Sequence, residues 1–176
     1  MKKFALLSLI VGMVAILSMS SLSAAAQEQE PIPVSGTFDY TYKIVGTAET
    51  ASYTMLDGAE EEVWVGDIEG TAQTIWRVGV YKDLPVEDVW LLSNFTGTVL
   101  GDYEGTMVIL LVGDKPLLEE PTATQWYGEW SVVSGTGDLA NVHGKGIWWG
   151  TGFSPDNGIP DIYYAGEVIF MEPPSE

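Results

Sequence analysis

Between Gly36 and Phe170 the chain shows almost no helical periodicity; it is a succession of short segments rich in Val, Ile, Thr, Tyr and Trp, broken by glycine and by Asp-Gly or Gly-Asp pairs. β-Branched and aromatic side chains pack well on a pleated surface, and glycine-based punctuation ends each run, so this pattern specifies an all-β domain. Eight strands are predicted: Gly36–Val45, Glu62–Ala72, Thr74–Lys82, Val89–Val99, Tyr103–Val112, Thr124–Val133, His143–Gly150 and Ile162–Phe170. Gly101-Asp102 between two apolar runs is a hairpin signal, and Asp57-Gly58 and Asn157-Gly158 mark further turns. Asp83–Asp88 and Lys115–Glu120 each span about one helical turn and contain proline, so both are read as loops. Short separations favour pairing between sequence neighbours. Eight such strands can close on themselves and abolish their edges, giving an antiparallel eight-stranded β-barrel.

Alternation supplies an inside and an outside. In the first strand Phe38, Tyr40, Tyr42 and Ile44 share one face, and Thr37, Asp39, Thr41 and Lys43 the other. In the second, Trp64 and Ile68 oppose Asp67, Glu69 and Thr71. Asp67 and Glu69 could pair as acid and base but are read as a solvated face, and Glu60-Glu61-Glu62 as a solvated loop. The strand Tyr103–Val112 is apolar on both faces, with Val108, Leu110 and Val112 opposite Met107, Ile109 and Leu111. Its outer side therefore calls for cover, by a loop or terminus or by a second copy in a homo-oligomer.

The first 26 residues read as a cleaved signal peptide. Met1-Lys2-Lys3 is a positive start, Phe4–Met19 an apolar core, and Ala24-Ala25-Ala26 a small-residue cleavage site. The expected organisation is then a signal peptide over 1–26, a flexible lead-in over 27–35, the barrel over 36–171 and a disordered tail over 172–176. The mature protein is expected to be secreted or periplasmic, with no stable membrane anchor, since no second apolar segment has spanning length.

Charge narrows the partners. The chain has 25 acidic and 7 basic side chains, a formal net charge of −18, and loss of Lys2 and Lys3 with the signal makes it −20. So acidic a surface argues against nucleic acid and against anionic lipid. With no cysteine, disulfides and thiolate chemistry are excluded, and with one histidine so is a histidine-cluster metal site. Asp156-Asn157-Gly158 with Asp161 lacks the spacing of a calcium loop and is read as turn chemistry. No metal and no cofactor is expected.

Three residues are candidates for acid–base work. His143 lies at a loop-to-strand junction near Asp138, while Glu129 and Glu167 fall inside predicted strands beside aromatic residues. A carboxylate facing an aromatic interior would have a raised pKa and could act as a general acid or anchor a ligand; the alternative is that both glutamates point to water. All seven tryptophans fall in or beside predicted strands. They serve either as a bulky core or, in part, as the lining of a cavity. Trp126, Trp130, Tyr40 and Tyr164 are the candidates for ligand contact.

The stretch Gly128-Glu129-Trp130-Ser131-Val132-Val133-Ser134-Gly135-Thr136-Gly137-Asp138-Leu139, followed by Gly144-Lys145-Gly146, resembles a signature of a bacterial family of unknown function in the allene oxide cyclase-like, or dirigent-like, barrel group. Gly36-Thr37-Phe38, Gly66–Thr71, Phe95–Thr98, Tyr103–Thr106 and Ala165–Val168 resemble its other pieces in the expected order. The family's usual arginine before the final Gly-x-Gly is replaced here by His143. The resemblance implies the barrel and a cavity, not a reaction.

Three readings of function follow. The first is an exported barrel that binds a small apolar ligand in its interior. The second is a cyclase-like or dirigent-like enzyme, an isomerase if an enzyme at all, that guides ring closure or coupling in the cavity. The third is a structural or interaction protein with a filled core. Such catalysis could proceed by shape and desolvation with few polar groups, so the lack of a catalytic cluster does not exclude the enzyme. A cavity with an isolated inward Glu or Tyr would favour the enzyme, an apolar cavity the carrier, and no cavity the third.

Overall fold

A computed structural model of the chain describes residues 29–116, 126–150 and 162–171. It contains eight strands in order: β1 (Ile32–Glu49), β2 (Tyr53–Gly66), β3 (Ile68–Tyr81), β4 (Val86–Val99), β5 (Tyr103–Pro116), β6 (Trp126–Gly137), β7 (Val142–Gly150) and β8 (Ile162–Phe170). Each pairs antiparallel with the next, and β1 closes the ring on β8 in the register Ile32↔Val168 to Phe38↔Ile162. The expected all-β, eight-stranded antiparallel barrel is the observed fold. The signal peptide, the tail 172–176 and the Asp156–Asp161 turn lie outside the described residues.

Several boundaries differ from expectation. β1 starts at Ile32, so 32–35 is strand rather than lead-in; Val34 continues the inward series of Phe38 and is buried. The predicted strand Glu62–Ala72 crosses a real corner at Gly66-Asp67, where Gly66 has φ 125° and the Asp67 carboxylate accepts from Ser35 N at 2.7 Å. Asp67 is thus a turn-fixing group that ties the β2–β3 corner to β1. Asp57-Gly58 is no turn but lies within β2, and Glu60-Glu61-Glu62 is strand rather than loop. The β4–β5 turn is Leu100–Asp102, with Leu100 and Gly101 both left-handed at φ 57° and 76°.

One half of the interior is filled. Phe38 stacks on Trp64 at 4.4 Å between ring centroids, and Trp64 contacts Tyr164 at 5.0 Å and Phe95 at 6.2 Å. The Tyr164 hydroxyl accepts from Ile68 N at 2.8 Å and donates to Ile68 O at 3.2 Å. Burial pushes its pKa up to about 12, so it remains a neutral structural tie between β8 and β3. Ile68, Val99, Met107 and Leu139 complete this packed half.

Candidate functional site

The other half of the barrel holds a cavity of about 270 Å³, walled mainly by aromatic and aliphatic side chains that include Tyr40, Tyr42, Trp76, Trp126 and Trp148. All of them come from the inward series of their strands. Two polar features enter this apolar space.

The first is an ion pair. Lys115 Nζ lies 3.1 Å from Glu87 Oε2 across the β4–β5 register pair Glu87↔Lys115, with side-chain exposures of only 11% and 15%. The ammonium also sits 5.1 Å from the centroid of the Trp126 ring, a cation–π contact. Lys115 extends the inward series Met107, Ile109, Leu111.

The second is a pair of carboxyls two residues apart on β2. Glu60 lines the cavity, and Glu62, 1% exposed, lies behind it toward the filled half. Glu62 Oε2 accepts from Trp64 Nε1 at 2.7 Å and Oε1 from Ser93 Oγ at 3.1 Å, and Ser93 Oγ accepts in turn from Thr74 Oγ1 at 2.8 Å. Two neutral donors thus converge on the Glu62 carboxyl, one on each oxygen, and Thr74 backs the second. Glu60 has no such donors among the described residues. Burial first, then the charge of Glu62 and a hydrogen bond to it, push the Glu60 pKa up to about 9, so it is the protonated member. The pair shares one proton and one negative charge inside the barrel.

Trp76 forms the adjoining wall. Its indole lies over Gly58 of β2, and the ring of Tyr42 meets it edge-on at 6.4 Å. Three other inward tryptophans have partners for their N–H: Trp64 on Glu62, Trp130 on Ala165 O at 3.2 Å and Trp148 on Glu129 O at 3.1 Å. Trp76 Nε1 is buried with none, alone among the described side-chain polar atoms.

The candidates from sequence divide accordingly. Tyr40 and Trp126 line the cavity, whereas Trp130 and Tyr164 are buried in the filled half, edge-on at 6.5 Å. Glu129 and Glu167 face outward: each stands one residue from an inward position of its strand, so alternation turns it to the other side, and Glu167 Oε1 lies 3.5 Å from Lys145 Nζ on the outer surface. His143 is exposed on the outside of β7. Sequence reasoning missed Glu60, Glu62, Trp76 and Lys115. The available signal was parity, because Glu60 and Glu62 lie four and two residues before the inward Trp64 and Lys115 lies four after the inward Leu111.

On the outer face of β5, Val108 and Leu110 are half-buried and Val112 is 48% exposed. A shallow groove there runs across β5–β8, bordered by Leu110, Val112 and Ile147 and by the Glu129, Lys145 and Glu167 charges.

No family model matches this chain, and no curated protein matches it. Among solved structures it is similar to a protein of unknown function of the DUF3224 family from Shewanella oneidensis MR-1, with a TM-score of 0.61 and 19% identity over 82% of this chain and 99% of that one. The two share a fold, and that neighbour belongs to a bacterial family of unknown function.

Proposed function

We propose that the protein is an exported barrel that binds one small, largely apolar molecule in its interior, and that it belongs with the allene oxide cyclase-like barrels. The cavity of about 270 Å³ carries this reading. Eight-stranded barrels are either filled by their own side chains or hold one small molecule, and here the described residues fill only one half. An interior with that much free space weighs against the structural protein with a filled core.

The inward Glu60 favours a second reading, the cyclase-like isomerase. A carboxylic acid kept neutral at pH 7 can donate a proton to a bound molecule. Glu60 is not isolated, however: its proton is already engaged by Glu62, which makes the pair a structural hydrogen bond as much as an acid. Binding is therefore the first reading and catalysis the second. The outer face of β5 supports a homo-oligomer through that strand, which light scattering on the purified protein would detect as a mass above one chain.

The deciding experiment is native mass spectrometry of protein purified from the exported fraction of its own host, with organic extraction of anything bound. A discrete co-purifying small molecule is expected. A clean apo mass, with no uptake from a lipid and terpenoid mixture, overturns the binding reading.

A further inference from the structure

We infer that the ligand of this cavity carries a hydroxyl group, and that Glu60 and Trp76 hold that hydroxyl from one wall while the apolar body fills the aromatic remainder. This rests on the ligand-binding reading above and adds the chemical class, a small apolar alcohol or phenol.

Trp76 Nε1–H is a buried donor without an acceptor, although the N–H groups of Trp64, Trp130 and Trp148 are all satisfied in the same barrel. An orphaned buried donor costs the full desolvation of that group, and native interiors rarely leave one without reason. Glu60 supplies the complement. Its acidic proton is committed to Glu62, whose own oxygens already serve Trp64 and Ser93, so the oxygen that Glu60 has left over is an acceptor. The two residues are neighbours. Glu60 is two positions along β2 from Gly58, over which the Trp76 indole lies, and both side chains line the cavity.

One chemical group satisfies both. A hydroxyl oxygen accepts from the indole N–H, and its own hydrogen is donated to Glu60. A ketone or ether would serve Trp76 alone. A carboxylate would meet the negative charge shared by Glu60 and Glu62. The only interior cation among the described residues that could offset that charge, Lys115, is paired with Glu87. A pure hydrocarbon leaves both groups as they are.

The test is isothermal titration of the purified protein at pH 7 with three probes of one shape: 4-tert-butylphenol, 4-tert-butylanisole and tert-butylbenzene. In a cavity without polar partners the phenol would bind more weakly than the hydrocarbon, because it loses its hydrogen bonds to water. We expect the reverse, with the phenol about tenfold tighter than tert-butylbenzene and the anisole between them, as two net hydrogen bonds would give. Trp76→Phe and Glu60→Leu are each expected to lose most of the preference while still binding tert-butylbenzene. Glu60→Gln, which keeps a donor toward Glu62 and an acceptor toward the cavity, is expected to retain it, so the comparison survives if Glu60→Leu folds poorly. Equal or tighter binding of tert-butylbenzene overturns the hydroxyl assignment and leaves the apolar cavity standing. A phenol preference that persists in both Trp76→Phe and Glu60→Leu also overturns it, since the hydroxyl would then sit elsewhere. Binding of none of the three probes counts against the cavity reading itself.

Discussion

The indole of Trp76 rests directly on Gly58 of the neighbouring strand, and a β-carbon built at Gly58 would overlap the six-membered part of the ring. The same device recurs where Trp130 crosses Gly146 and Gly166 and where Trp148 crosses Gly113 and Gly128. Each large ring is seated where the facing strand has no side chain, which lets a small barrel hold several tryptophans without bursting.

Gly58→Ala is therefore expected to push the Trp76 indole off β2 and into the cavity. Overpacking of this kind costs about 1–3 kcal/mol. Thermal unfolding should show the loss, and uptake of any cavity probe should weaken in the same variant.

Glu60 should make stability depend on pH in an identifiable direction. Its carboxyl rises from the ordinary 4.5 to about 9 on folding, so between those values the folded chain holds a proton that the unfolded chain has released. That contribution is whole below pH 4.5, declines as pH rises and is gone above pH 9. Glu60→Gln keeps a neutral donor to Glu62 and removes the titration. Its melting temperature should match the parent near pH 4.5 and exceed it by a growing margin up to pH 9. A margin that does not change with pH would show that Glu60 is ionised in the fold.

Ser93→Ala removes the donor to Glu62 Oε1 and the acceptor of Thr74 Oγ1 together. Leaving buried polar groups unpaired costs about 1–3 kcal/mol. Denaturant unfolding should place Ser93→Ala in that range, and the added change Thr74→Val should cost little more, because its hydroxyl has already lost its acceptor.

The Lys115–Glu87 pair should behave as a unit. Lys115→Met leaves Glu87 as a nearly buried, unpaired carboxylate, at a cost of about 3 kcal/mol. The double variant Lys115→Met with Glu87→Leu is expected to recover most of that loss. Equal stabilities for the single and double variants would mean that solvent reaches Glu87 more freely than its exposure suggests.

The barrel was legible because eight runs of β-forming residues alternate between turn signals, and alternation around Phe38 and Trp64 marks the interior. The candidate site was less legible because hydropathy and parity disagree there. Glu60-Glu61-Glu62 reads as a solvated loop when charge is weighed first, yet Glu60 and Glu62 share parity with Trp64 and are carried inward with it. For Glu129 and Glu167 the sequence leaves both directions open, inward beside aromatic residues or out to water, and parity decides between them: Glu129 is the immediate neighbour of the inward Trp130 and faces the opposite side. The missing partner of Trp76 is a fact of three dimensions, fixed by which groups on neighbouring strands reach its N–H, and no pattern along one strand contains it.

The seam between β1 and β8 has a kinetic meaning. Its register joins Ile32 to Val168 and Phe38 to Ile162, residues more than a hundred positions apart, so the ring remains an open ribbon until the last strand is in hand. Contacts this distant in sequence slow the search for the native state. During that interval β1 and β7 both present bare edges, which are templates for pairing with another chain. Any agent that delays or removes residues 162–170 therefore leaves a sticky half-built sheet, and the yield of soluble protein will be set by how quickly the first strand finds the last.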